Sequence, residues 1–514
     1  MISKVIIQAG GKGTRMGDLT ASRPKCLVSL GGKPLLYSVS NAFGENIEAI
    51  IIGDYKADVL KKYLENFPPP FDYRMILANG TGTSAGLNQA VKLTENEGFA
   101  IIWSDLYFRE KININGMTQN SIGLSSEISC RWSFKDGKLL EERSDGINKL
   151  GVMGVFFFPD PEVIPEIPES GEFVKFLADE GLAFEPMVIQ GVREIGTFKA
   201  YREERDSQIN SRFFNKIIFD GEKVTKIPID QSFSHLISDE ATWYQFVSGK
   251  GFDNIPYVFS YDPLKMKFVR GKHPFNLTPS KDDDRKKVIE TIIQTLEQLH
   301  QLGGVKFNEE EARRIYIEKT WRRINHVAGV IPHAEAEYFR VNGLKVENIL
   351  NANSRGRLEE VFKLLCSQAP NYTVIHGDPT FSNIILEQKD HKPIFIDPRG
   401  YFGNYKIFGD PLYDYSKLYY SAVGNYDFFN QGKFILRMNG TEVKLKIESE
   451  KFENTKTVFE SYFGNLMPRI EILHSLIWLS LSGYVTDDYN SILASYFNGL
   501  KLLEEVSDGN SKVV

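Results

Sequence analysis

The chain has 514 residues, 42% hydrophobic and 25% charged, a composition typical of a globular protein and a length that favours two or three domains. Its formal net charge of −6 disfavours a general nucleic-acid-binding protein, because such proteins are usually basic. The three cysteines are widely separated, no apolar run is long enough to span a bilayer, and the first strand leaves no room for a signal peptide. We therefore expect a cytoplasmic protein that binds neither membranes nor nucleic acid.

The first part of the chain, up to about Phe108, alternates apolar segments with amphipathic ones. Strands are predicted at VIIQ, IEAIIIGDY, YRMILAN and FAIIWSD, with helices between them at PLLYSVSNAF, ADVLKKYLENF and SAGLNQAVKLT. Strands without polar alternation, separated by helices, indicate a parallel sheet covered on both faces. This predicts an α/β domain, in which ligands bind at the carboxyl ends of the strands.

A glycine-rich basic loop, GGKGTRM, follows the first strand. Such a loop can bring backbone N–H groups and positive charge against phosphates. It matches neither the Walker A pattern nor the GxGxxG dinucleotide motif. A second loop at a strand end, NGTGTSAG, is expected to help to bind the nucleotide. The predicted nucleotide- and phosphate-binding residues of the two loops are Gln8, Ala9, Gly10, Gly11, Gly13, Thr14, Gly82 and Ser84.

The sequence G-G-K-G-T-R-M with a downstream P-K resembles the loop of sugar-phosphate nucleotidylyltransferases, over about residues 1–205. The resemblance implies a Rossmann-like domain with a mostly parallel sheet. It also implies that a phosphate monoester attacks the α-phosphorus of a nucleoside triphosphate. Both reactants are anionic, so the protein has to neutralise and align them. On this view Arg15 binds the triphosphate and Lys25 binds the incoming phosphate or the α-phosphate. The alternative for Lys25 is a solvated surface lysine.

Four further residues of this domain are candidates for metal or acceptor binding. Asp105 ends the strand FAIIWSD, where a carboxylate can either hold Mg²⁺ or cap a turn. In REIGTFKAYREER, which resembles a family motif that usually carries Asp, Glu194 is the candidate second metal ligand. The segment GEFVKFLADEGLAF resembles the sugar-phosphate side of the family, so Glu172 and Lys175 are candidate acceptor contacts. An ordinary amphipathic helix face is the alternative for both.

The sequence changes character after about residue 205. A polar segment at 206–212 is predicted to be a linker to a second domain at 213–514. That domain is predicted to have a β-rich lobe at about 213–270 and a helical lobe at about 271–514. A D-G turn between FFNKIIF and KVTKIPI predicts a β-hairpin, and SDEATWYQFV predicts a helix capped at Ser238 or Asp239.

The helical lobe contains YTVIHGDPTFSN, in which His376, Asp378 and Asn383 follow an apolar strand, and a second strand, PIFI, ends at Asp397. The spacing matches the catalytic loop of protein kinases. The HGD and IDPRG variants resemble the aminoglycoside phosphotransferase and choline kinase group. This resemblance implies a bilobal, protein-kinase-like α+β fold. It also implies that Asp378 accepts the proton of the substrate hydroxyl and that Asn383 and Asp397 bind Mg²⁺.

The kinase resemblance also implies a lysine on a strand of the β-rich lobe and a glutamate on the next helix. Lys226 and Glu240 fit these places, with Lys216 as a rival for the lysine. No GxGxxG loop precedes them. Asp414 and the nearby Asp410 are candidates for the acceptor pocket, with capping and hydrogen bonding to the catalytic loop as the alternative.

Together the two resemblances predict a bifunctional enzyme that makes a nucleotide-activated sugar for a bacterial surface polysaccharide. We expect a kinase to phosphorylate a small sugar at the anomeric hydroxyl and a nucleotidylyltransferase to couple the product to an NTP. The expected cofactor is Mg²⁺ at both sites, with ATP and a second NTP as substrates. One alternative is a choline, amino-alcohol or polyol kinase fused to a cytidylyltransferase. Another is that one domain is a binding or regulatory module without catalysis.

Overall fold

A computed structural model of the chain describes residues 2–114, 117–144, 149–207, 215–277, 281–367, 369–449 and 451–510. The chain divides into two compact units. Unit 1 comprises Met1–Ile209 and Thr486–Asn490, and unit 2 comprises Asn210–Val485 and Ser491–Val514. Most of the predicted linker 206–212 lies outside the described residues. The predicted domain bounds therefore stay predictions.

The longer strands of unit 1 are β1 (Lys4–Gln8), β2 (Glu48–Gly53), β3 (Asp72–Leu77), β4 (Phe99–Trp103), β5 (Leu106–Phe108), β6 (Ser121–Ser125), β7 (Ser133–Lys135), β8 (Lys138–Leu140), β9 (Leu150–Phe158), β10 (Glu185–Val188) and β11 (Val192–Glu194). The unit is built on a sheet of nine strands with the central order β8-β7-β9-β4-β1-β2-β3. Its α-helices are α1 (Val39–Phe43), α2 (Ala57–Asn66), α3 (Leu87–Lys92), α4 (Phe173–Asp179) and α5 (Phe198–Ser207). Strands β1 to β4 are parallel, whereas β9 runs antiparallel to β4. The predicted α/β fold with a mostly parallel sheet is confirmed.

The centre of this sheet is held by apolar side chains in register on neighbouring strands. Ile6 on β1 pairs with Ile50 on β2 and with Ile101 on β4, and all three side chains are fully buried. Burying each isoleucine contributes about 1.5–3 kcal/mol to folding. This packing fixes the carboxyl end of β1, from which the glycine loop leaves, beside the end of β4, which leads to Asp105.

Unit 2 begins with an antiparallel sheet of four strands in the order β12-β13-β15-β14. These strands are β12 (Asn215–Asp220), β13 (Lys223–Pro228), β14 (Val258–Tyr261) and β15 (Leu264–Lys267), and helix α6 (Ser234–Gly249) lies between β13 and β14 in the chain. The predicted D-G hairpin forms between β12 and β13. The predicted cap at Ser238 or Asp239 is wrong, because the helix has already begun at Ser234. Asp230 instead accepts a hydrogen bond from the backbone N–H of Ser232 in the preceding turn.

The rest of unit 2 is predominantly helical. Its helices are α7 (Asp282–His300), α8 (Glu309–Arg313), α9 (Lys319–Val327), α10 (Arg357–Cys366), α11 (Pro411–Ala422), α12 (Tyr426–Asn430), α13 (Lys456–Phe463), α14 (Met467–Ser482) and α15 (Tyr489–Asn510), whose first two residues fall in unit 1. Its longer strands are β16 (Tyr338–Val341), β17 (Leu344–Glu347), β18 (Tyr372–Val374), β19 (Ile384–Glu387), β20 (Pro393–Phe395), β21 (Phe434–Asn439) and β22 (Glu442–Ile447). The predicted kinase-like α+β fold is confirmed.

One sheet of the helical lobe was not expected from the sequence. Strands β17, β16, β22 and β21 form a separate four-stranded sheet, in that order, from two hairpins about 90 residues apart. None of the helices in the described part of the chain is long and apolar enough to cross a membrane.

Candidate active sites

The glycine loop after β1 adopts a backbone that only small residues allow. Gly13 has a φ of +61°, and a Cβ there would lie 3.2 Å from the Cβ of Lys25. A Cβ on Gly10 would lie 2.7 Å from the Cβ of Asp54. Gly11, by contrast, is exposed and has open space around it. The loop therefore packs tightly at both ends and presents its middle to a ligand.

Lys25 and Asp105 form a buried ion pair within unit 1. The side chain of Lys25 is 8% exposed, and its Nζ lies 2.5 Å from Oδ2 of Asp105. The other carboxylate oxygen of Asp105, Oδ1, is buried and has no hydrogen-bond partner among the described residues. A buried oxygen without a partner is costly, so this atom fits a further ligand such as a metal ion.

Glu194 is brought to the same place by the antiparallel pairing of β11 with β5. The backbone N–H of Ile195 donates to the carbonyl oxygen of Asp105 at 2.7 Å, which holds the two acidic segments together. Burial and then the neighbouring Asp105 raise the pKa of Glu194 above its usual value, although Lys25 and Arg15 act in the opposite direction. Nη2 of Arg15 lies 3.7 Å from Oε1 of Glu194. The structure thus brings the two predicted cations and the two predicted acids together.

The second predicted loop lies against β1 and against the chain before α4. The Gln8 side-chain amide donates to the carbonyl oxygen of Thr83. Gly82 has a φ of +81°, and a Cβ there would lie 2.2 Å from the carbonyl oxygen of Gly171. The Ser84 side chain is fully buried, and its hydroxyl oxygen has no hydrogen-bond partner in the part of the chain that the structure describes. The loop is therefore closely packed, with one unused buried hydroxyl.

Two other predicted nucleotide-binding residues lie in different surroundings. Ala9 is buried, and its N–H donates to the carbonyl oxygen of Ile52 at 2.9 Å. Because that N–H already has a partner in the sheet, it is not available to a nucleotide. Thr14 is exposed at the start of the helical turn that follows the loop.

The predicted acceptor contacts of unit 1 differ in their surroundings. Glu172 accepts a hydrogen bond from Nε1 of Trp132 at 2.8 Å and pairs with Nη1 of Arg131 at 3.1 Å. Lys175 is exposed on α4, and its ammonium group pairs with no carboxylate among the described residues. Glu172 is therefore already engaged by its own domain, whereas Lys175 is accessible to an anionic ligand.

In unit 2, Lys226 on β13 links two acidic residues from different elements. Its side chain is 4% exposed, and Nζ bonds to Glu240 on α6 and to Asp397 after β20. Burial alone would lower the pKa of Lys226, but Asp397 and Glu240 raise it above its usual value, so the lysine is protonated. The rival Lys216 is exposed on β12. The structure therefore favours Lys226 as the lysine of the kinase-like site.

The loop between β18 and β19 holds Asp378 by hydrogen bonds and charge. Asn383 Nδ2 donates to the backbone oxygen of Asp378 at 2.9 Å and to its Oδ2 at 3.2 Å, and Lys417 Nζ lies 2.9 Å from Oδ1. Burial would raise the pKa of Asp378, yet Lys417 and Arg399 together lower it below its usual value. Asp378 is therefore an ionised carboxylate at neutral pH. The ring Nε2 of the fully buried His376 lies 3.0 Å from the backbone oxygen of Ile396, which supports the loop from behind.

Asp414 does not have the predicted acceptor-binding role, which we correct. Its fully buried carboxylate accepts the backbone N–H of His376 at 2.8 Å and that of Gly377 at 2.7 Å. Gly377, with a φ of +83°, turns both N–H groups inward, so they need a buried acceptor. His300 Nε2 also lies 3.1 Å from Asp414 Oδ2. Asp414 therefore holds the catalytic loop in shape.

Asp410 has a comparable structural role. It caps α11 by accepting the N–H of Leu412 at 2.9 Å, and it also accepts the hydroxyl of Tyr316 at 3.1 Å. Both oxygen atoms of the Asp410 carboxylate thus accept hydrogen bonds within the protein.

The residues of the kinase-like site line one cavity of about 740 Å³ within unit 2. Lys226, Glu240, Asp378, Asn383 and Asp397 all contribute to its wall. Its remaining wall contains four cations and several tyrosines that were not singled out from the sequence, among them Lys319, Arg323, Arg399, Lys417, Tyr401, Tyr413 and Tyr484. Arg399 belongs to the IDPRG segment quoted above, but the resemblance gave it no role. For Lys319 and Arg323 the visible indication is the basic run KTWRR, which is equally typical of an exposed helix face.

Tyr413 lies among these cations. Its hydroxyl accepts a hydrogen bond from Nη1 of Arg399 at 3.2 Å. Burial would raise the pKa of Tyr413, but Arg399, Lys319 and Lys417 lower it to about 7. Burial in turn lowers the pKa of Lys319 to about 8. The cavity wall is therefore strongly electropositive on this side.

The predicted metal ligands form two pairs, Asp105 with Glu194 and Asn383 with Asp397. The backbone N–H of Ile396 donates to the carbonyl oxygen of Asn383 at 3.0 Å, which sets Asp397 beside Asn383. Across the described ranges, no group of three or more His, Cys, Asp or Glu side chains is arranged to hold a metal ion. Each pair therefore fits Mg²⁺ only if substrate phosphates and water supply the other oxygen ligands, as they usually do for this ion.

Family comparisons match the two ends of the chain separately. Residues 5–132 match the MobA-like NTP transferase domain, and residues 210–434 match the phosphotransferase enzyme family. The chain thus carries an N-terminal NTP transferase domain and a C-terminal phosphotransferase domain, as the resemblances in the sequence predicted.

Curated relatives match shorter stretches. The bifunctional protein GlmU of Methanococcus maripaludis is 28% identical over 122 residues, 23% of this chain and 29% of that protein. The glucose-1-phosphate cytidylyltransferase of Salmonella typhimurium is 38% identical over 66 residues, 12% of this chain and 26% of that protein. The chain thus spans less than a third of the length of either relative.

Solved structures of similar proteins were also found. The crystal structure of HddC from Yersinia pseudotuberculosis is 21% identical, with a TM-score of 0.34 over 40% of this chain and 99% of that chain. A UDP-glucose pyrophosphorylase complexed with UDP-glucose is 17% identical, with a TM-score of 0.33 over 41% of this chain and 100% of that chain.

Proposed function

We propose that this chain, which joins an NTP transferase domain to a phosphotransferase domain, is a bifunctional enzyme. The phosphotransferase domain moves the γ-phosphate of ATP to a small sugar at its anomeric hydroxyl. The NTP transferase domain couples the sugar phosphate to an NTP and releases pyrophosphate. The observation that carries the proposal is that Asp378 and the pair of Lys226 and Asp397 line one cavity. A base and a phosphate-binding cation in one cavity are what phosphoryl transfer requires.

In the proposed kinase reaction, the oxygen of the acceptor hydroxyl attacks the γ-phosphorus while the bond to ADP breaks. The ionised carboxylate of Asp378 accepts the hydroxyl proton, and Asn383 and Lys417 hold that carboxylate in place. Lys226 contributes positive charge toward the α- and β-phosphates, and Glu240 fixes its position. No covalent intermediate with the protein is needed.

In the proposed nucleotidyl transfer, an oxygen of the sugar phosphate attacks the α-phosphorus of the NTP and pyrophosphate leaves. Lys25 and Arg15 offset the negative charge that the two reactants bring together. The glycine loop lets backbone N–H groups approach the triphosphate closely. Asp105 pairs with Lys25 and orients it, and Glu194 lies beside the same pair.

We propose Mg²⁺ as the cofactor of both sites, where it would neutralise negative charge on the phosphates when bound. Asp105 and Glu194 would hold it in unit 1, and Asn383 and Asp397 would hold it in unit 2. The unpartnered Oδ1 of Asp105 supports the first assignment.

The sugar assignment rests on the resemblance of the GGKGTRM loop and on the name of one relative, the glucose-1-phosphate cytidylyltransferase. A choline or amino-alcohol acceptor is disfavoured, because the cations that line the cavity would repel an ammonium group. The alternative that one domain lacks catalysis is also disfavoured, because both units bring together the charged residues that the proposed reactions require. We further propose that the product serves a bacterial surface polysaccharide and that the reactions take place in the cytoplasm, where NTPs are made.

The proposal is tested by incubating the full chain with ATP, Mg²⁺, each of the four NTPs and a panel of sugars and sugar 1-phosphates. Mass spectrometry should detect ADP with a sugar phosphate, and then an NDP-sugar with pyrophosphate. A panel of choline and polyols serves as the control for the alternative. Formation of a CDP-alcohol, with no NDP-sugar from any sugar, would show that the alternative is correct.

A further inference from the structure

A group of basic side chains lines one side of the cavity in unit 2, here named the cation cluster: Lys319, Arg323 and Arg399. Lys319 and Arg323 lie one turn apart on α9, where side chains four residues apart share a face. Arg399 follows Asp397 by two residues. Burial lowers the pKa of Lys319, Tyr413 raises it, and Arg399, Arg323 and Lys417 lower it further. The members of the cluster therefore repel one another.

The charge of the cation cluster is not balanced by ion pairs in the part of the chain that the structure describes. Within the described ranges, none of its three members forms an ion pair with a carboxylate. Arg323 instead donates to the backbone and hydroxyl oxygens of Ser480, at 3.3 and 3.1 Å. Arg399 donates to the hydroxyl of Tyr413. The oxygens of Ser480 orient the guanidinium of Arg323 without neutralising it, whereas Tyr413, whose pKa is lowered to about 7, offsets part of the charge of Arg399. Arg323 and Lys319 are therefore left able to bind an anion.

The carboxylates that line the cavity are already occupied by other cations. Asp378 pairs with Lys417, while Asp397 and Glu240 both pair with Lys226. Asp378 and Tyr413 offset only part of the positive charge of the cation cluster. The cluster keeps its positive character although the chain as a whole is acidic, with a net charge of −6. Like charges gathered at one wall, in a protein of opposite net charge, indicate an anionic ligand.

We infer that the acceptor of the proposed kinase carries an anionic group, a phosphate or a carboxylate, in addition to the hydroxyl that is phosphorylated, and that the cation cluster binds this group. The inference rests on the proposed kinase activity and adds the substrate class. Guanidinium groups bind planar carboxylates and phosphates through paired hydrogen bonds, so two arginines and a lysine suit either group.

The triphosphate of ATP is a less suitable occupant for the cation cluster. Lys226, which the proposal assigns to the triphosphate, has Asp397 and Glu240 as its charged neighbours. The cluster instead faces the end of α14 and the residues after it, where the guanidinium of Arg323 lies 5.3 Å from the ring centre of Tyr484. An aromatic face beside the cations can also cover a sugar ring. The volume of about 740 Å³ is ample for a ligand beside a triphosphate.

The inference is tested by calorimetric titration of the full chain, first saturated with Mg²⁺ and a non-hydrolysable ATP analogue. The probes are glucose 6-phosphate, glucuronate and glucose, which share a ring and differ in charge. We expect one or both anionic sugars to bind at least about tenfold more tightly than glucose. The anionic sugar that binds more tightly shows whether the acceptor carries a phosphate or a carboxylate.

Variants at adjacent positions provide the matched control. Arg323→Gln should weaken binding of the preferred anionic sugar by about tenfold or more, and Arg323→Lys should restore part of it. Arg322→Gln removes the neighbouring cation, which is exposed and lies outside the cavity wall, and should leave binding unchanged. If Arg323→Gln does not fold, Lys319→Gln takes its place in the comparison.

Three results would overturn the inference. The first is that glucose binds as tightly as both anions, and the second is that neither anion binds to protein that holds the ATP analogue. The third is that the Arg322 and Arg323 variants weaken binding equally. A failure of the proposed function itself would give different experimental results. In that case the ATP analogue would not bind, or no sugar of any charge would yield ADP, and the inference would fall with it.

Discussion

Lys25 and Asp105 stand 80 positions apart in the chain, yet Nζ of Lys25 lies 2.5 Å from Oδ2 of Asp105. The pair joins the glycine loop to the end of β4, and both side chains are largely withdrawn from water. Because water screens charges, burial of this pair strengthens the electrostatic effect of each charge on its surroundings. A substitution at either position should therefore change the chemistry of unit 1 far more than a surface substitution does.

We expect Lys25→Met to slow nucleotidyl transfer by about 10²–10³-fold, as the loss of one preorganised positive group does in other enzymes. The assay is pyrophosphate release from an NTP and a supplied sugar 1-phosphate. Lys62→Met, which removes an exposed lysine on α2, is the control and should retain the wild-type rate. A full rate in Lys25→Met would exclude the catalytic role proposed for this lysine.

Asp378→Asn should reduce ADP formation by about 10²–10⁴-fold, because the amide cannot accept the hydroxyl proton. Asparagine has nearly the same shape, and the bond from Asn383 to the backbone oxygen at this position remains possible. Asp390→Asn, at an exposed turn, is the matched control. ADP is measured with the acceptor found in the sugar screen.

The same Asp378→Asn variant tests whether the two reactions are independent. Pyrophosphate release from a supplied sugar phosphate should continue at the wild-type rate, since Asp378 belongs to unit 2 and the nucleotidyl-transfer residues belong to unit 1. An equal loss of both reactions would contradict the assignment of one reaction to each unit.

The sequence was sufficient to predict the fold class of both units, because motifs and hydrophobic periodicity are local properties. It also named the four charged residues of unit 1 and the core of the kinase-like site, whose spacing is constrained by the chemistry. The cluster around Arg323 escaped prediction, because its members are gathered from α9 and from the chain after β20 only by tertiary packing. For the same reason the sequence left two roles open for Asp414, acceptor binding and hydrogen bonding to the catalytic loop, since its partners lie 37 and 38 residues away.

Asp414→Ala should destabilise unit 2, because it leaves the N–H groups of His376 and Gly377 buried without an acceptor. Each unsatisfied group costs about 1–3 kcal/mol, so we expect a loss of about 2–6 kcal/mol in the free energy of unfolding. Thermal unfolding followed by circular dichroism measures the change. Asp390→Ala should be close to neutral, and an equally small effect at Asp414 would show that these bonds do not hold the loop.

Glu194→Gln should stabilise unit 1 at neutral pH, and the gain should shrink in acid. Burial and then Asp105 raise the pKa of Glu194 in the folded protein, so the folded state binds its proton more tightly than the unfolded chain does. Stability from this group is therefore present at low pH and is lost as the pH rises through the usual carboxyl range to the raised pKa. Glutamine has no charge to bury, so the variant escapes this loss.

Calorimetric unfolding at pH 4 and at pH 7 measures the difference for Glu194→Gln. A gain of about 1 kcal/mol at pH 7 would raise the unfolding temperature of a unit of this size by about 2–4 °C. Glu180→Gln, which changes an exposed glutamate after α4, should show no such pH dependence. If the variant and the wild type differed equally at both pH values, the ionisation of Glu194 would not be the cause. Nucleotidyl transfer should fall in the variant even where it is more stable, because the carboxylate lies beside Asp105 and Lys25 at the proposed reaction site.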